Sequence, residues 1–447
     1  MITEMSVSNF KSIEKIESLK LKPLTLLTGV NSSGKSNIIE AISFFAQAAR
    51  LGETPDGGDA PVNLVNIYRY GDVKKYPRPI ENFVIHKKNK SKLAELEVNI
   101  KPEKSAIKEF EDYISRSLDK RLKAIRKIGS IDSVGYSFQF RLTPAYYSQE
   151  ILINKEPILA VYRHRRRPIR VSRPERFRGN TMKGSPATLF NDKVFTPVNK
   201  AHLEGFSVLA RRVLRYVRDS MKKTYFISGE RGRIDAELPV STEQEFTPSW
   251  IGPYGQYLVE ILSRCLTLEP EKTAKIQEWA KKFQLLDVRA GYIGRGLLQS
   301  TFKDRKLDVT LNSTLAGLGS RQILSIVTQI FWSEPGSVIM IEEPEISLHP
   351  ENQVLLHELF SEAISQGKQI VCSTHSPFFV LALSKAVKKK LLRVDDIAVY
   401  HVEKGDNGTI TKPLKLNEQG FIVSGVPSFM KVEEDLFRDW SESLGEE

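Results

Sequence analysis

Two cysteines, Cys265 and Cys372, in 447 residues leave no material for a disulfide framework or a cysteine-built zinc site. No uninterrupted apolar run reaches the roughly 18 residues a bilayer-crossing helix needs. The opening Met1-Ile2-Thr3-Glu4-Met5-Ser6 lacks the basic-then-apolar order of a secretory leader. A cytoplasmic protein without a membrane partner is therefore expected. Internal repeats are absent, as are heptads long enough for an extended coiled coil. Apolar residues make up 40% and charged residues 27%, which excludes a disordered or collagen-like chain.

What the chain does have is an uneven excess of positive charge. The formal net is +12, but residues 101–224 hold 28 basic and 12 acidic side chains, a net of +16, so the remainder is acidic. Arg163, Arg165, Arg166, Arg167, Arg170, Arg173, Arg176 and Arg178 face one acid, Glu175. A helical pattern follows, with Leu209, Val213, Val217 and Met221 on one face and Arg211, Arg215, Arg218 and Lys222 on another. Cations in such arrays bind polyanions by releasing counterions. A solvated helix face beside an exposed arginine loop is the other reading of the same pattern. Only Tyr162 and Phe177 lie within the arginine run, so backbone contact is favoured over base stacking.

Along the chain, residues 1–100 read as strand-rich with one embedded helix. Leu24–Thr28 is a β-rich run, Asn37–Ala49 has helical spacing, and Leu96, Val98 and Ile100 alternate as in a half-buried strand. Residues 101–224 read as a basic, mainly helical insertion. From 225 to 447 strands and helices alternate, with apolar runs at Val338–Ile341 and Gln369–Ser373, which predicts an α/β sheet with helices packed on it.

Gly29-Val30-Asn31-Ser32-Ser33-Gly34-Lys35-Ser36 fits G-x-x-x-x-G-K-[ST] at every fixed position. It follows a strand and opens a helix, as the motif requires. Its glycines let backbone N–H groups turn inward around phosphate, and the helix N-terminus adds partial positive charge. Lys35 would reach the outer phosphates and Ser36 would offer a hydroxyl to Mg2+. Asn31, Ser32, Ser33 and Asn37 complete the expected ATP-binding set.

Glu342 and Glu343 follow Val338–Ile341 directly. A hydrophobic strand ending in acids can place one carboxylate near a metal and another near an attacking water. Two surface glutamates at a strand end fit equally. Past the second apolar run, Ser373-Thr374-His375-Ser376 puts a histidine where it can meet a γ-phosphate, or where the segment merely caps a helix. Gly317-Leu318-Gly319-Ser320 leads into a helix, a natural anion site that otherwise reads as a helix cap.

Together these segments resemble ABC-type ATPases of the SMC, RecF and overcoming-lysogenization-defect (OLD) group. Ser8-Asn9-Phe10-Lys11-Ser12-Ile13 looks like that group's opening strand. Asn31–Ala41 is similar to its phosphate loop and following helix. Ile341-Glu342-Glu343-Pro344-Glu345-Ile346-Ser347-Leu348-His349-Pro350 is similar to the Walker B and D-loop form of OLD-like members and prokaryotic defence relatives. Thr374-His375-Ser376 looks like the switch-histidine segment. The resemblance covers residues 1–50 and about 225–380.

The resemblance implies an α/β, two-lobed ABC-type ATPase head of the P-loop class, carrying the basic insertion. It implies ATP and Mg2+ as cofactors, Glu343 as catalytic base and Glu342, with Ser36, at the metal. His375 becomes the switch residue. Two heads would sandwich ATP, with Gly317, Gly319 and Ser320 acting in trans, so at least a homodimer is expected. Glu342 stands where Asp is commoner, which implies a metal contact through water. The signature reads Leu-Gly-Ser-Arg-Gln, unlike the transporter-like Leu-Ser-Gly-Gly-Gln. Only 72 residues follow His375, too few for the Toprim nuclease of OLD nucleases. An ATP-driven DNA-associated switch in anti-phage defence, with a separate effector nuclease, is the expected function. An ATP-regulated scaffold with little turnover is the alternative. A transporter subunit is disfavoured by the 307 positions between Lys35 and Glu342 and by the basic segment between them. Tyr225–Arg233 resembles a strand-then-arginine segment of the defence branch; from it, Arg231 or Arg233 either approaches nucleotide or the neighbouring head, or makes a surface salt bridge.

Overall fold

The computed structural model describes residues 1–51, 86–89, 91–116, 130–141, 146–164, 170–172, 204–232, 238–239, 249–292, 297–305, 308–431 and 438. Strands β1 (Ile2–Phe10), β2 (Ile13–Lys20) and β3 (Leu24–Thr28) precede helix α1 (Lys35–Leu51). Next come β4 (Ala94–Ile100), α2 (Lys104–Arg116), β5 (Val134–Arg141), β6 (Tyr146–Ile153), β7 (Glu156–His164) and β8 (Arg170–Ser172). Helix α3 (Glu204–Lys222), β9 (Thr224–Ile227), β10 (Leu238–Pro239), α4 (Leu258–Leu268) and α5 (Pro270–Lys282) follow. The hairpin strands β11 (Leu285–Tyr292), β12 (Leu297–Asp304) and β13 (Thr310–Asn312) lead to α6 (Leu318–Trp332) and β14 (Val338–Glu342). Helix α7 (Pro350–Ser365), β15 (Gln369–Thr374), α8 (Pro377–Lys388), β16 (Ile397–Gly405) and β17 (Gly408–Leu414) complete the order.

The chain divides into two units. The first comprises Met1–Leu21, Ser36–Thr224 and Lys404–Ile410. Its seven strands run β2-β1-β4-β5-β6-β7-β8, every neighbour antiparallel. Val134, Tyr136, Phe138 and Phe140 alternate along β5 and are all fully buried. Helix α1 brings Ile38, Ile39, Ala41, Ile42 and Phe45 into the same core, with Phe45 edge-on to Tyr136 at 5.7 Å. Helix α3 buries Leu209, Val213, Val217 and Met221 completely, so its apolar spacing is the packing face.

Among the described residues of 101–224, strands β5 to β8 stand beside helices α2 and α3, so that part is neither mainly helical nor separate from the sheet of β1 and β2. The sheet runs through residue 100: β4 pairs with β5 from Ala94↔Phe140 to Ile100↔Val134. Four strands of that segment extend a sheet begun by β1 and β2. The reason is the alternation of large apolar residues along β5, which the surrounding Arg- and Lys-rich composition masks in the sequence.

The second unit comprises Lys22–Lys35, Tyr225–Glu403 and Thr411–Glu447. Its main sheet runs β17-β16-β3-β15-β14-β9, with β16, β3, β15 and β14 mutually parallel. Strands covered on both faces read as continuous apolar runs, and Val338–Ile341 and Ile370–Cys372 are buried throughout. A small sheet, β10-β12-β11 with β13 on β12, adjoins the helices of this unit. Trp279, Phe360, Phe379, Leu356 and Ile330 belong to its core, and Trp279 Nε1 donates to Glu362 Oε2 at 2.7 Å. In such sheets ligands bind beyond the carboxyl ends of the strands. The phosphate loop, the paired acids and His375 leave the carboxyl ends of β3, β14 and β15, which are neighbours.

Candidate nucleotide site

The loop after β3 is built on backbone conformations that few residues adopt. Gly29 has φ 152°, Ser32 φ 60° and Gly34 φ 106°. A Cβ on Gly29 would stand 2.1 Å from the Val402 carbonyl oxygen, so only glycine fits there. Lys35 Nζ donates to Gly29 O at 2.9 Å, Val30 O at 2.7 Å and Ser33 Oγ at 3.4 Å. Lys35 is only 5% exposed, and burial pulls its ammonium down to about 8 against the opposing pull of Glu343, Glu345 and Glu342. Asn31, Ser32 and Ser36 are exposed; Ser33 and Gly34 are buried. Asn37 Nδ2 donates to Ser12 Oγ at 2.5 Å, so its amide serves the first unit's β1–β2 turn.

A measurable pH dependence follows from the Lys35 ammonium. Its proton is lost as pH rises through about 8 in the free protein and is held when a polyphosphate sits against it. The Kd for ATP is therefore expected to rise about tenfold between pH 7 and pH 9 by linkage. Equilibrium titration with a fluorescent ATP analogue checks this; a flat profile would remove Lys35 as the charge on the phosphates.

Glu342 ends β14 opposite Ser373 of β15. Its Oε2 accepts from Ser228 Oγ and from the Gly229 amide, each at 3.4 Å. Glu343 has left the strand at φ 43°, its N–H donating to Ser373 O at 3.0 Å. Its Oε1 lies 3.5 Å from His375 Nε2. Burial lowers the His375 pKa, helped by the Lys35 charge and opposed by Glu343 and a bond to the Gly29 backbone. The lowered pKa favours the uncharged imidazole, with the Glu343 side chain beside it.

Glu345 and Arg231, the one read only as part of a motif and the other as a nucleotide-side or surface arginine, make contacts that the sequence did not reveal. Glu345 is 7% exposed, and its Oε1 accepts from Thr374 Oγ1 at 2.6 Å and from the amides of His375 and Ser376 at 2.9 and 3.2 Å. Burial raises its pKa. A third acid two residues past the first pair, after Pro344, was the available signal. Arg231 is fully buried and donates to backbone carbonyls, including those of Glu342 and Glu343, so it makes no surface salt bridge. Its signal was the Gly229 and Gly232 pair flanking a charged residue after an apolar strand. Arg233 lies outside the described residues.

The signature residues open α6. Gly317 is its N-cap and exposed, and its carbonyl accepts from the Ser320 amide at 3.1 Å. Gly319 packs on the same chain's acidic loop: a Cβ there would sit 2.4 Å from Ser347 O. Leu315 and Leu318 are 81% and 44% exposed beside it.

Of the basic residues, Arg165, Arg166 and Arg167 lie outside the described residues, as do Arg173, Arg176 and Arg178 of the same run. Arg163 falls in β7 and Arg170 in β8. Arg211 and Arg215 line a cleft of about 490 Å³ between α2 and α3, together with Arg212, Tyr216, Glu109 and Asp219. Arg212 ion-pairs with Glu109, and Arg218 lies 3.6 Å from Asp219. Substituting Arg211, Arg215 and Arg218 with Ala is expected to flatten the salt dependence of DNA binding by about 2 to 3 in log–log slope. An unchanged slope would leave this face a solvated one.

A strand–loop–helix phosphate cradle, strand-end carboxylates and a histidine on adjacent parallel strands define a P-loop nucleotide-binding ATPase fold of the α/β class. Residues 24–382 match the family model described as "AAA domain, putative AbiEii toxin, Type IV TA system", and the chain belongs to that family. No curated protein matches the chain. Among solved structures, an SMC head bound to the C-terminal winged-helix domain of ScpA is 12% identical, with TM-score 0.46, covering 93% of this chain and 98% of the other. The SMC head domain of Thermotoga maritima is 11% identical at TM-score 0.41, covering 93% and 99%. A Pyrococcus furiosus SMC head with an extended coiled coil, bound to the ScpA C-terminal domain, is 12% identical at TM-score 0.44, covering 97% and 99%. Among the described residues no helix is long and apolar enough to cross a membrane.

Proposed function

We propose that this chain binds and hydrolyses ATP as an SMC/OLD-like ATPase that dimerises on ATP and acts as a DNA-associated switch in anti-phage defence with a separate effector nuclease. The observation that carries the reading is the 3.5 Å approach of Glu343 to His375 beside the Lys35 loop. A carboxylate is thereby available to take a proton from water, and a neutral imidazole to meet the γ-phosphate. Ser36 and Glu342 offer oxygen donors only, the chemistry Mg2+ takes. The exposed Gly317 and Leu318 suit an approach by a second head, and the +16 charge of residues 101–224 suits a phosphate backbone. The family description, a toxin of a toxin–antitoxin system, is in keeping with an effector-linked role.

Steady-state ATP hydrolysis with and without duplex DNA, at low and moderate salt, tests this. Stimulation that fades as salt rises is the expected result. Turnover indifferent to DNA would sink the DNA-linked part and point to a protein as the input. No turnover at all, with ATP still bound, would favour an ATP-regulated scaffold.

A further inference from the structure

Strand β14 ends at Glu342, and among the described residues no strand pairs with the chain just beyond it to take up its carbonyl groups in a regular ladder. Arg231 does so. Its NH1 donates to Ser228 O at 3.2 Å and to Glu342 O at 2.7 Å. Its NH2 donates to Glu343 O at 2.9 Å and Pro344 O at 3.1 Å. One guanidinium thus binds three consecutive carbonyls of the acidic loop and ties them to the turn after β9. A planar fork of donors spreads over such a set from two nitrogens, whereas an ammonium offers its three donors from one centre. The side chain is 0% exposed, so its bonds are made where water cannot substitute for them.

The backbone it holds is one that would otherwise relax. Glu343 is a non-glycine residue at φ 43°, a conformation that persists only where surrounding contacts over-determine it. From the other side Glu345 Oε1 takes the Thr374 hydroxyl and the amides of His375 and Ser376. Among the described residues, Arg231 Nε and Glu345 Oε2 are buried polar atoms with no partner, and Glu345 is the carboxylate that most favours the Arg231 charge. The backbone at Glu343 and at His375 is therefore held by two buried side chains, neither of them in the phosphate loop.

We propose that Arg231 is a positioning residue for ATP hydrolysis: by fixing the carbonyls of Glu342, Glu343 and Pro344 it aims the Glu343 carboxylate at the attacking water, without touching nucleotide. This rests on the hydrolytic reading above. Misplacing a reacting group by about 1 Å costs on the order of a hundredfold in rate. Arg231→Met, which keeps the stem's bulk and leaves the carbonyls without donors, is therefore expected to lower kcat about a hundredfold. The KM and the Kd for ATP are expected to stay within about threefold, because the phosphate loop is untouched. Arg231→Lys is the second variant: it keeps the charge, loses the fork, and is expected to recover less than about a tenth of the rate.

Hydrogen–deuterium exchange of the nucleotide-free protein supplies a readout that does not need turnover. The amides of Glu343, Ile346 and Leu348, bonded to Ser373, Glu343 and Glu345, are expected to exchange faster in the variants, with residues 24–35 unchanged. Local loosening with a kcat-only loss supports the proposal. A folded variant with wild-type kcat, a kcat loss without local loosening, or uniform loosening with ATP affinity falling in step would each overturn it. Should the wild-type protein bind ATP and not hydrolyse it, the hydrolytic reading fails, and exchange in residues 342–348 alone decides whether Arg231 sets that loop. If Arg231→Met does not fold, the same measurements on Arg231→Lys decide.

Discussion

Glu343→Gln is expected to keep ATP bound and to stop its turnover. The amide has nearly the carboxylate's size and keeps an acceptor oxygen, so the turn at φ 43° and the approach to His375 are preserved. What it loses is the capacity to take a proton. Removal of a general base lowers the rate by about a hundred- to ten-thousandfold. Because binding precedes chemistry, the ATP-bound form then accumulates, and size-exclusion chromatography with ATP is expected to show a dimer that the wild-type protein forms only transiently. Wild-type turnover in this variant would remove Glu343 as the base. Lost turnover without a shift in size would keep the base and remove the ATP-dependent dimer.

Lys35→Ala is expected to abolish ATP binding at concentrations that saturate the wild-type protein. Each charge-assisted hydrogen bond to phosphate contributes about 1.5 to 3 kcal/mol, so two such bonds correspond to more than about a hundredfold in Kd. The thermal stability of the nucleotide-free protein is not expected to fall with it. Burial already holds the Lys35 pKa down to about 8, which means that the folded loop disfavours the ammonium. A variant with unaltered ATP affinity would end the assignment of residues 29–35 as the phosphate cradle. Equal loss of affinity and melting temperature would show that the lysine serves the fold first.

The local parts of this candidate site are those that a sequence can display. Gly29, Gly34 and Lys35 are legible because their roles depend on a few residues of backbone and one helix start. Glu342, Glu343 and His375 are legible as residues at the ends of buried apolar runs, each of which falls one residue short of the strand it belongs to, β14 or β15. Arg231 was singled out but its task was not, because these partners lie 111 to 113 positions away and are backbone carbonyls, which leave no mark on side-chain identity. Glu345 was quoted within a motif, but its task depends on Thr374 and Ser376, some 30 positions on. The continuity of β4 with β5 was hidden for a related reason. Register between strands is a long-range property, while the basic residues around β5 dominate any short window.

The strand order of the second unit also sets when the site can exist. Among the described residues, the strands paired with β3 are β15 and β16, which the ribosome makes more than three hundred residues later. At about 5 to 20 residues per second the phosphate cradle's supporting strand waits on the order of 20 to 70 seconds for its neighbours. During that interval Leu24–Thr28 is an unpaired apolar segment, and its exposure is a matter for chaperones, not for nucleotide. A growing chain therefore cannot brace the strand that carries residues 29–35 until residues 369–405 have been made.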